Sequence, residues 1–313
     1  VGGIEHAVLH LLYSRFFIKA LKSIGELKVS EPFKSLFCQG MVCHITYKDE
    51  DNKWVFPEDV IKKGTSFIHK ITGKKVIPLK SEKMSKSKKN IVDPVNIIKS
   101  YGADTARIFM LSDSPPERNL DWSNSGIEGA SRFIQKIWKY FSNINIINTE
   151  SKKDYISDYS EKELISKMHL CISKVTKNLD SFQYNVAVAA LREFSNIFLS
   201  INKDKDLIKN SALYKALSNW IIMIGPLMPH LAEELWKKLD YPEESLVVDQ
   251  KWPVYNSKYL EEDKINLVVQ INGKKKIVLV IDKGLSKNDT SKFVLDNIKN
   301  KSFMENKKIK KII

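Results

Sequence analysis

Cysteine is scarce: Cys38, Cys43 and Cys171 are the only three in 313 residues. That excludes a disulfide framework and points to a reducing compartment, the cytoplasm. Cys38, Cys43 and His44 could form a zinc corner, but no second Cys/His pair follows at finger spacing, so no metal centre is expected. No apolar run approaches the roughly 20 residues of a membrane helix. The longest candidate, Trp220–Met228, is broken by Gly225 and Pro226, so no membrane association is expected. Arginine is confined to Arg15, Arg107, Arg118, Arg132 and Arg192, and glycine numbers only 12. No signal or transit segment is visible. The first residue is Val1, inside a motif, so the chain reads as a piece of a longer polypeptide.

What is present describes a folded protein long enough for two domains or more. Hydrophobic residues make up 43% and charged residues 28%, with a formal net charge of +14. The charge is carried almost wholly by lysine. A biased genome composition could inflate lysine, but its placement is uneven: residues 264–313 hold 13 Lys against Asp282, Asp289, Asp296 and Glu305. A basic end of that kind suits a polyanionic partner.

The apolar pattern divides the chain into three parts. In residues 1–124, the stretch 4–26 predicts a long helix, apolar over much of its circumference and hence mostly buried. Residues 36–47 predict a buried strand, and 48–82 a small insertion or hairpin. Asp93-Pro94 is an N-cap followed by proline at the first helical position, opening a short helix that ends near Gly102. A further helix is expected over 104–112. Residues 125–260 carry apolar stripes at i, i+3, i+4 spacing, predicting helices near 125–146, 160–180, 184–202, 207–224 and 228–240, a helical bundle. Residues 261–313 predict two strands around Asn272-Gly273, then a helix near 290–300, a small α+β unit.

The segment Lys83-Met84-Ser85-Lys86-Ser87 lacks apolar periodicity and is expected to be a loop. It sets two ammonium groups three residues apart with small hydroxyls beside them. Lysine is a compact donor for phosphate oxygens, and such a flap suits the charge that develops as pyrophosphate leaves a nucleotide. A solvated Lys/Ser loop or a basic sorting patch would have the same composition. Asp104 and Arg107, at i, i+3, read as a surface bridge on one helix. His230, behind Pro229, reads as a fixture of a helix N-terminus.

The spelling KMSKS matches the signature loop of class I aminoacyl-tRNA synthetases. GGIEHAVLH (Gly2–His10), QGMVCH (Gln39–His44), YGADTARIFMLSDSPPERNLDW (Tyr101–Trp122), PLMPHLAEELW (Pro226–Trp236) and VVQINGK (Val268–Lys274) follow in collinear order. Together they resemble the C-terminal part of the bacterial-type leucyl branch of that family. The fold the resemblance implies is the second half of a Rossmann-like α/β nucleotide-binding domain, then the helical bundle, then the small α+β domain. The implied activity is leucine activation with ATP and transfer to the 3′ end of tRNA(Leu).

Under this resemblance Lys86, with Lys83 second, neutralises pyrophosphate, and Ser85 and Ser87 sit against ATP. Gly2 and Gly3 let a nucleotide approach backbone at a helix N-terminus. Glu5 accepts hydrogen bonds from ribose hydroxyls. His6 lies near the adenosine, and His10, on the same face of one helix, borders the leucine side chain, with a core histidine as the lesser alternative for His10. Met41 and Val42 offer backbone groups and apolar cover to adenine, or simply end a strand. Lys274, Lys275 and Lys276 contact tRNA phosphates without reading bases, or form a solvated basic face. ATP, Mg2+, leucine and tRNA(Leu) are the implied ligands, and a monomer the implied full-length state.

The family's first nucleotide motif and its editing insertion do not occur in the sequence, and the C-terminal domain reads as clipped by about one short strand. The chain alone is therefore expected not to activate leucine. A sister synthetase for isoleucine, valine or methionine, or a non-catalytic tRNA-binding module, would share parts of this pattern.

Overall fold

The computed structural model describes residues 3, 6, 8–147, 161–201, 206–209, 211–260, 264–298, 301 and 304. They fall into two compact units, Val1–Tyr255 and Asn256–Ile313.

The first unit opens with helix α1, Leu9–Ser23, followed by strands β1 (Val42–Asp49), β2 (Trp54–Val55), β3 (Val60–Lys63), β4 (Ser66–His69) and β5 (Lys75–Lys83). Helices α2 (Pro94–Tyr101) and α3 (Ala103–Ser112) lead to the short strand β6 (Leu120–Asp121). The sheet runs β2-β1-β5-β4-β3, with β6 alongside β1. Its hairpin pairings are antiparallel; β6 runs parallel to β1, and Gly3 makes an isolated parallel bridge to Gln39. Among the described residues of 1–124, the parallel character expected of a Rossmann half is thus confined to these two contacts. The insertion is a set of short hairpins closed over Tyr47, Val55 and Val76.

Helix α1 departs from the sequence reading. It is apolar over much of its circumference, yet none of its residues is buried, and Phe16 is 66% exposed. Periodicity reports apolar surface, not whether a partner covers it. The following segment meets it through the Arg15–Glu31 ion pair at 2.7 Å and the tilted His10–Phe33 ring contact at 5.9 Å.

The bundle follows as α4 (Asn124–Ser142), α5 (Glu161–Asp180), α6 (Tyr184–Ile201), α7 (Ala212–Ile224) and α8 (Pro229–Lys238). A two-stranded parallel pair, β7 (Asn145–Ile147) with β8 (Asp206–Ile208), lies between them in sequence. Ser123 and Ser211 cap α4 and α7 by accepting the Gly126 and Tyr214 amides at 3.2 and 3.1 Å. One continuous core runs from Ile108 and Phe109 of α3 through Phe141, Phe194 and Phe198 to Trp220, whose indole N–H donates to the Leu191 carbonyl at 3.0 Å.

One sequence expectation changes here. Asp104 and Arg107 do not bridge each other on the surface. Buried Asp104 accepts the Leu231 amide at 2.6 Å and meets the His230 ring at 2.9 Å, at the start of α8. Arg107 donates to the Pro226 and Leu227 carbonyls at 2.7 and 3.0 Å. One turn of α3 therefore grips both sides of the α7–α8 corner, because a carboxylate suits free amides at a helix start and a guanidinium suits carbonyls left over at a helix end. His230 is the helix-start fixture the sequence suggested.

In the second unit, β9 (Lys264–Ile271) and β10 (Lys274–Asp282) pair antiparallel around Asn272 (φ 51°) and Gly273 (φ 75°), and α9 (Lys287–Ile298) follows. Two successive left-handed residues are what a tight Asn-Gly hairpin requires. Among the described residues, no helix is long and apolar enough to cross a membrane.

Candidate functional site

Residues 39–43 form the rail on which the candidate site is built. Gly40 donates its amide to the Pro116 carbonyl at 2.8 Å, and a Cβ there would lie 2.1 Å from the Arg118 carbonyl oxygen. Only glycine allows this approach of two backbones. Met41 donates its amide to the Asn119 carboxamide and accepts the Leu120 amide, both at 2.9 Å. Both backbone polar groups of Met41 are thus engaged by the Asn119–Leu120 segment. Val42 accepts the Met84 amide at 3.0 Å, while its side chain borders a cavity of about 290 Å³ that also touches Phe37, Met110, Leu111 and Phe182.

Lys83 ends β5 opposite Cys43, and the loop leaves the sheet there. Lys86–Lys89 make a tight turn, with Lys89 in the left-handed region at φ 54° and its amide donating to the Lys86 carbonyl at 3.3 Å. The residue that shapes the loop is Asn90, fully buried. Its Oδ1 accepts the Ser85 amide at 2.9 Å; its Nδ2 donates to the carbonyls of Glu82 (3.0 Å), His44 (3.1 Å) and Lys83 (3.3 Å). One side chain thus ties both limbs of the loop to each other and to β1. Ser85 and Ser87 face each other at 2.7 Å between their hydroxyls. Sequence reading did not single out Asn90; the available signal was an Asn closing a polar loop just before an Asp-Pro helix start, a position where short amides bond local backbone.

The loop lysines differ in their engagements. Lys88 pairs with Glu82 and lies 6.0 Å from the centre of the Trp54 ring. Lys89 lies 5.2 Å from the Phe56 ring. Lys86 is exposed, and its ammonium has no hydrogen-bond or ion-pair partner among the described residues. Lys83 is exposed at the base.

Gly3 and the loop are brought to one rail. Gly3 bridges Gln39, and the Met84 amide docks on Val42 three residues later, about 10 Å along an extended segment. His6 follows in a single turn, its amide donating to the Gly3 carbonyl at 3.0 Å. Helix α1 begins at Leu9, so His6 precedes it and does not share a helical face with His10. Gly2 and Glu5 lie outside the described residues. Lys274, Lys275 and Lys276 belong to the second unit, exposed at the turn end of β10.

Burial holds the His44 imidazole below its ordinary pKa, partly offset by its backbone contact with Asn90. Burial, and then the Asp121 charge, raise the Cys43 thiol. No group of three or more His, Cys, Asp or Glu side chains able to hold a metal occurs among the described residues.

The family model for the anticodon-binding domain of tRNA ligase matches residues 161–301, and that for tRNA synthetases class I (I, L, M and V) matches residues 67–123. The leucine–tRNA ligase of Rickettsia massiliae (strain Mtu5) is 42% identical over 314 residues, covering 100% of this chain and 36% of its own length. That of Paramagnetospirillum magneticum (strain ATCC 700264 / AMB-1) is 44% identical over 284 residues, covering 90% of this chain and 32% of its own. Among solved structures, the LeuRS of Agrobacterium radiobacter K84 agnB2, in a ternary complex with tRNA and LeuAMS, superposes with a TM-score of 0.64. It is 27% identical and covers 99% of this chain and 35% of its own. The chain spans about a third of the length of these relatives.

Proposed function

We propose, from the premise that this chain belongs to the leucine–tRNA ligase family, that it supplies one wall of a leucine-activating site and a tRNA-binding surface. In the first step the leucine carboxylate oxygen attacks the α-phosphorus of ATP. The bond from that phosphorus to the bridging oxygen breaks, and its electron pair leaves with pyrophosphate. Lys86, with Lys83 at the base of the flap, neutralises that charge; Ser85 and Ser87 hydrogen-bond phosphate oxygens. Gly3 and His6 border the adenosine, and His10 the leucine side chain. In the second step a hydroxyl at the 3′ end of tRNA(Leu) attacks the leucyl carbonyl carbon, the acyl–phosphate C–O bond breaks, and AMP leaves with the electron pair as the hydroxyl proton is lost; Lys274, Lys275 and Lys276 hold tRNA phosphates. Mg2+ is the divalent ion we assign to the ATP phosphates.

The observation that carries this reading is the sorting of the loop lysines: Lys88 and Lys89 are held by neighbours, while Lys86 stands exposed and unengaged on a loop whose base shares a rail with Gly3. The exposed apolar surface of α1 is the face we assign to the remainder of the ligase. The domains we propose are 1–124 (catalytic half and linking segment), 125–260 (bundle) and 261–313 (tRNA-binding unit), acting in a monomeric, cytoplasmic enzyme. The test is pyrophosphate exchange with leucine, isoleucine, valine and methionine. The ligase assembled with its remaining two thirds exchanges with leucine, and the chain alone with none. Preference for another amino acid, or exchange by the chain alone, contradicts the reading.

A further inference from the structure

The insertion between β1 and β5 has no role in the reading so far, yet two of its aromatic rings meet the flap's far limb. The tight turn Asp49–Lys53 is set by the Asn52 amide donating to the Asp49 carbonyl at 3.0 Å and the Lys53 amide to the Asp49 carboxylate at 2.8 Å. That turn delivers Trp54 onto β1, in register with Lys48. The Trp54 ring then has the Lys48 ammonium at 4.6 Å and the Lys88 ammonium at 6.0 Å, and Phe56 has the Lys89 ammonium at 5.2 Å. Val55 between them is buried, which anchors the pair to the small core with Tyr47 and Val76. Glu82 of β5 completes the grip on Lys88.

We infer that Trp54 and Phe56 are positioning residues for the flap: their ring faces retain Lys88 and Lys89, so that Lys86 is the turn's cation left to reach a phosphate. A cation over a ring face is attracted by the ring quadrupole. Two such contacts on adjacent lysines also support the left-handed conformation of Lys89, which an L residue adopts at a cost. The latch assigns the insertion a task in nucleotide binding, and it rests on the nucleotide reading above only for that consequence, not for its existence.

The latch is measured without ATP, on the chain itself, by limited trypsin digestion. The rate of cleavage after Lys86 is compared with cleavage within the bundle for the chain, for Trp54→Ala/Phe56→Ala, and for Trp54→Phe/Phe56→Tyr. The alanine pair is expected to raise flap cleavage about five-fold, and the ring-keeping pair to restore it, because proteolysis follows local opening. Lys88→Gln, a half-exposed position that does not enter the core, is expected to raise it as well, and decides the matter should the alanine pair unfold. Unchanged flap cleavage in folded Lys88→Gln overturns the proposal. In the assembled ligase the alanine pair is expected to raise the KM for ATP about five-fold without moving that for leucine. Should flap cleavage respond while the wild-type ligase shows no ATP–pyrophosphate exchange, the nucleotide reading fails and the latch stands. Should exchange occur while cleavage is indifferent to the rings, the latch alone fails.

Discussion

The carboxamide of Asn90 accepts the amide of Ser85 across the neck of the flap, at 2.9 Å, from a position with no solvent exposure. Removing that side chain leaves the Ser85 amide and three carbonyls without their partner. Asn90→Ala is expected to destabilise the first unit by about 2–4 kcal/mol, read by urea unfolding. A loss below about 0.5 kcal/mol, the range of ordinary surface changes, would mean the neck is not clamped there.

The α3 grip on the α7–α8 corner gives a second test. Asp104→Ala removes the acceptor for the Leu231 amide and is expected to cost about 2–3 kcal/mol. Arg107→Ala releases the Pro226 and Leu227 carbonyls and is expected to cost about 1–2 kcal/mol. Because both side chains hold one corner, the double variant should depart from additivity by at least about 0.5 kcal/mol. Strict additivity would show that the two contacts act independently.

Acidification tests the burial of His44. Its folded-state pKa lies below the ordinary 6.5, so between those two values the unfolded chain binds the proton and the folded chain does not. Stability therefore falls as pH drops through about 6.5 and levels off below the folded-state value. His44→Gln cannot titrate and should show a shallower fall over that window, followed by thermal unfolding. His169, lowered for the same reason, contributes a parallel fall that the variant leaves in place. Identical pH profiles for His44→Gln and the parent chain would contradict this.

Thiol chemistry separates the three cysteines. Burial pushes Cys171 up to about 12 and raises Cys43, whereas Cys38 is partly exposed. A disulfide-exchange reagent at pH 8 should titrate Cys38 quickly and the other two only on unfolding. Rapid reaction of Cys171 in the folded chain would show that the α5–α6 packing opens readily.

The bundle helices were legible in the sequence because each buries a regular stripe: Phe133, Ile137 and Tyr140 predicted α4, and Leu191, Phe194 and Phe198 predicted α6, to within a few residues. Asp93-Pro94 announced the start of α2, and the Asp93 side chain accepts the Val95 amide at 2.9 Å. Asn272-Gly273 announced the hairpin of the second unit. Other features depend on distance in sequence. Asp104 and Leu231 lie 127 residues apart, so local spacing suggested the nearer Arg107 as partner. The exposure of α1 cannot be read from its own residues, since an apolar helix looks the same whether or not a neighbour covers it. In the candidate site, the spelling of Lys83–Ser87 marked the flap, but the side chains that shape and hold it, Asn90, Trp54 and Phe56, serve through contacts made only when β1 and β5 pair.

The unengaged ammonium of Lys86 is tested by comparing leucine-dependent ATP–pyrophosphate exchange by the assembled ligase with Lys86→Ala against the same ligase with Lys99→Ala, a change in α2 away from the flap turn. Lys86→Ala is expected to lower the exchange rate by roughly 10²–10³, the usual cost of one well-aimed donor to a developing anion, with unfolding unchanged and Lys99→Ala close to the parent. An exchange rate for Lys86→Ala within about two-fold of the parent, far short of that loss, would contradict it.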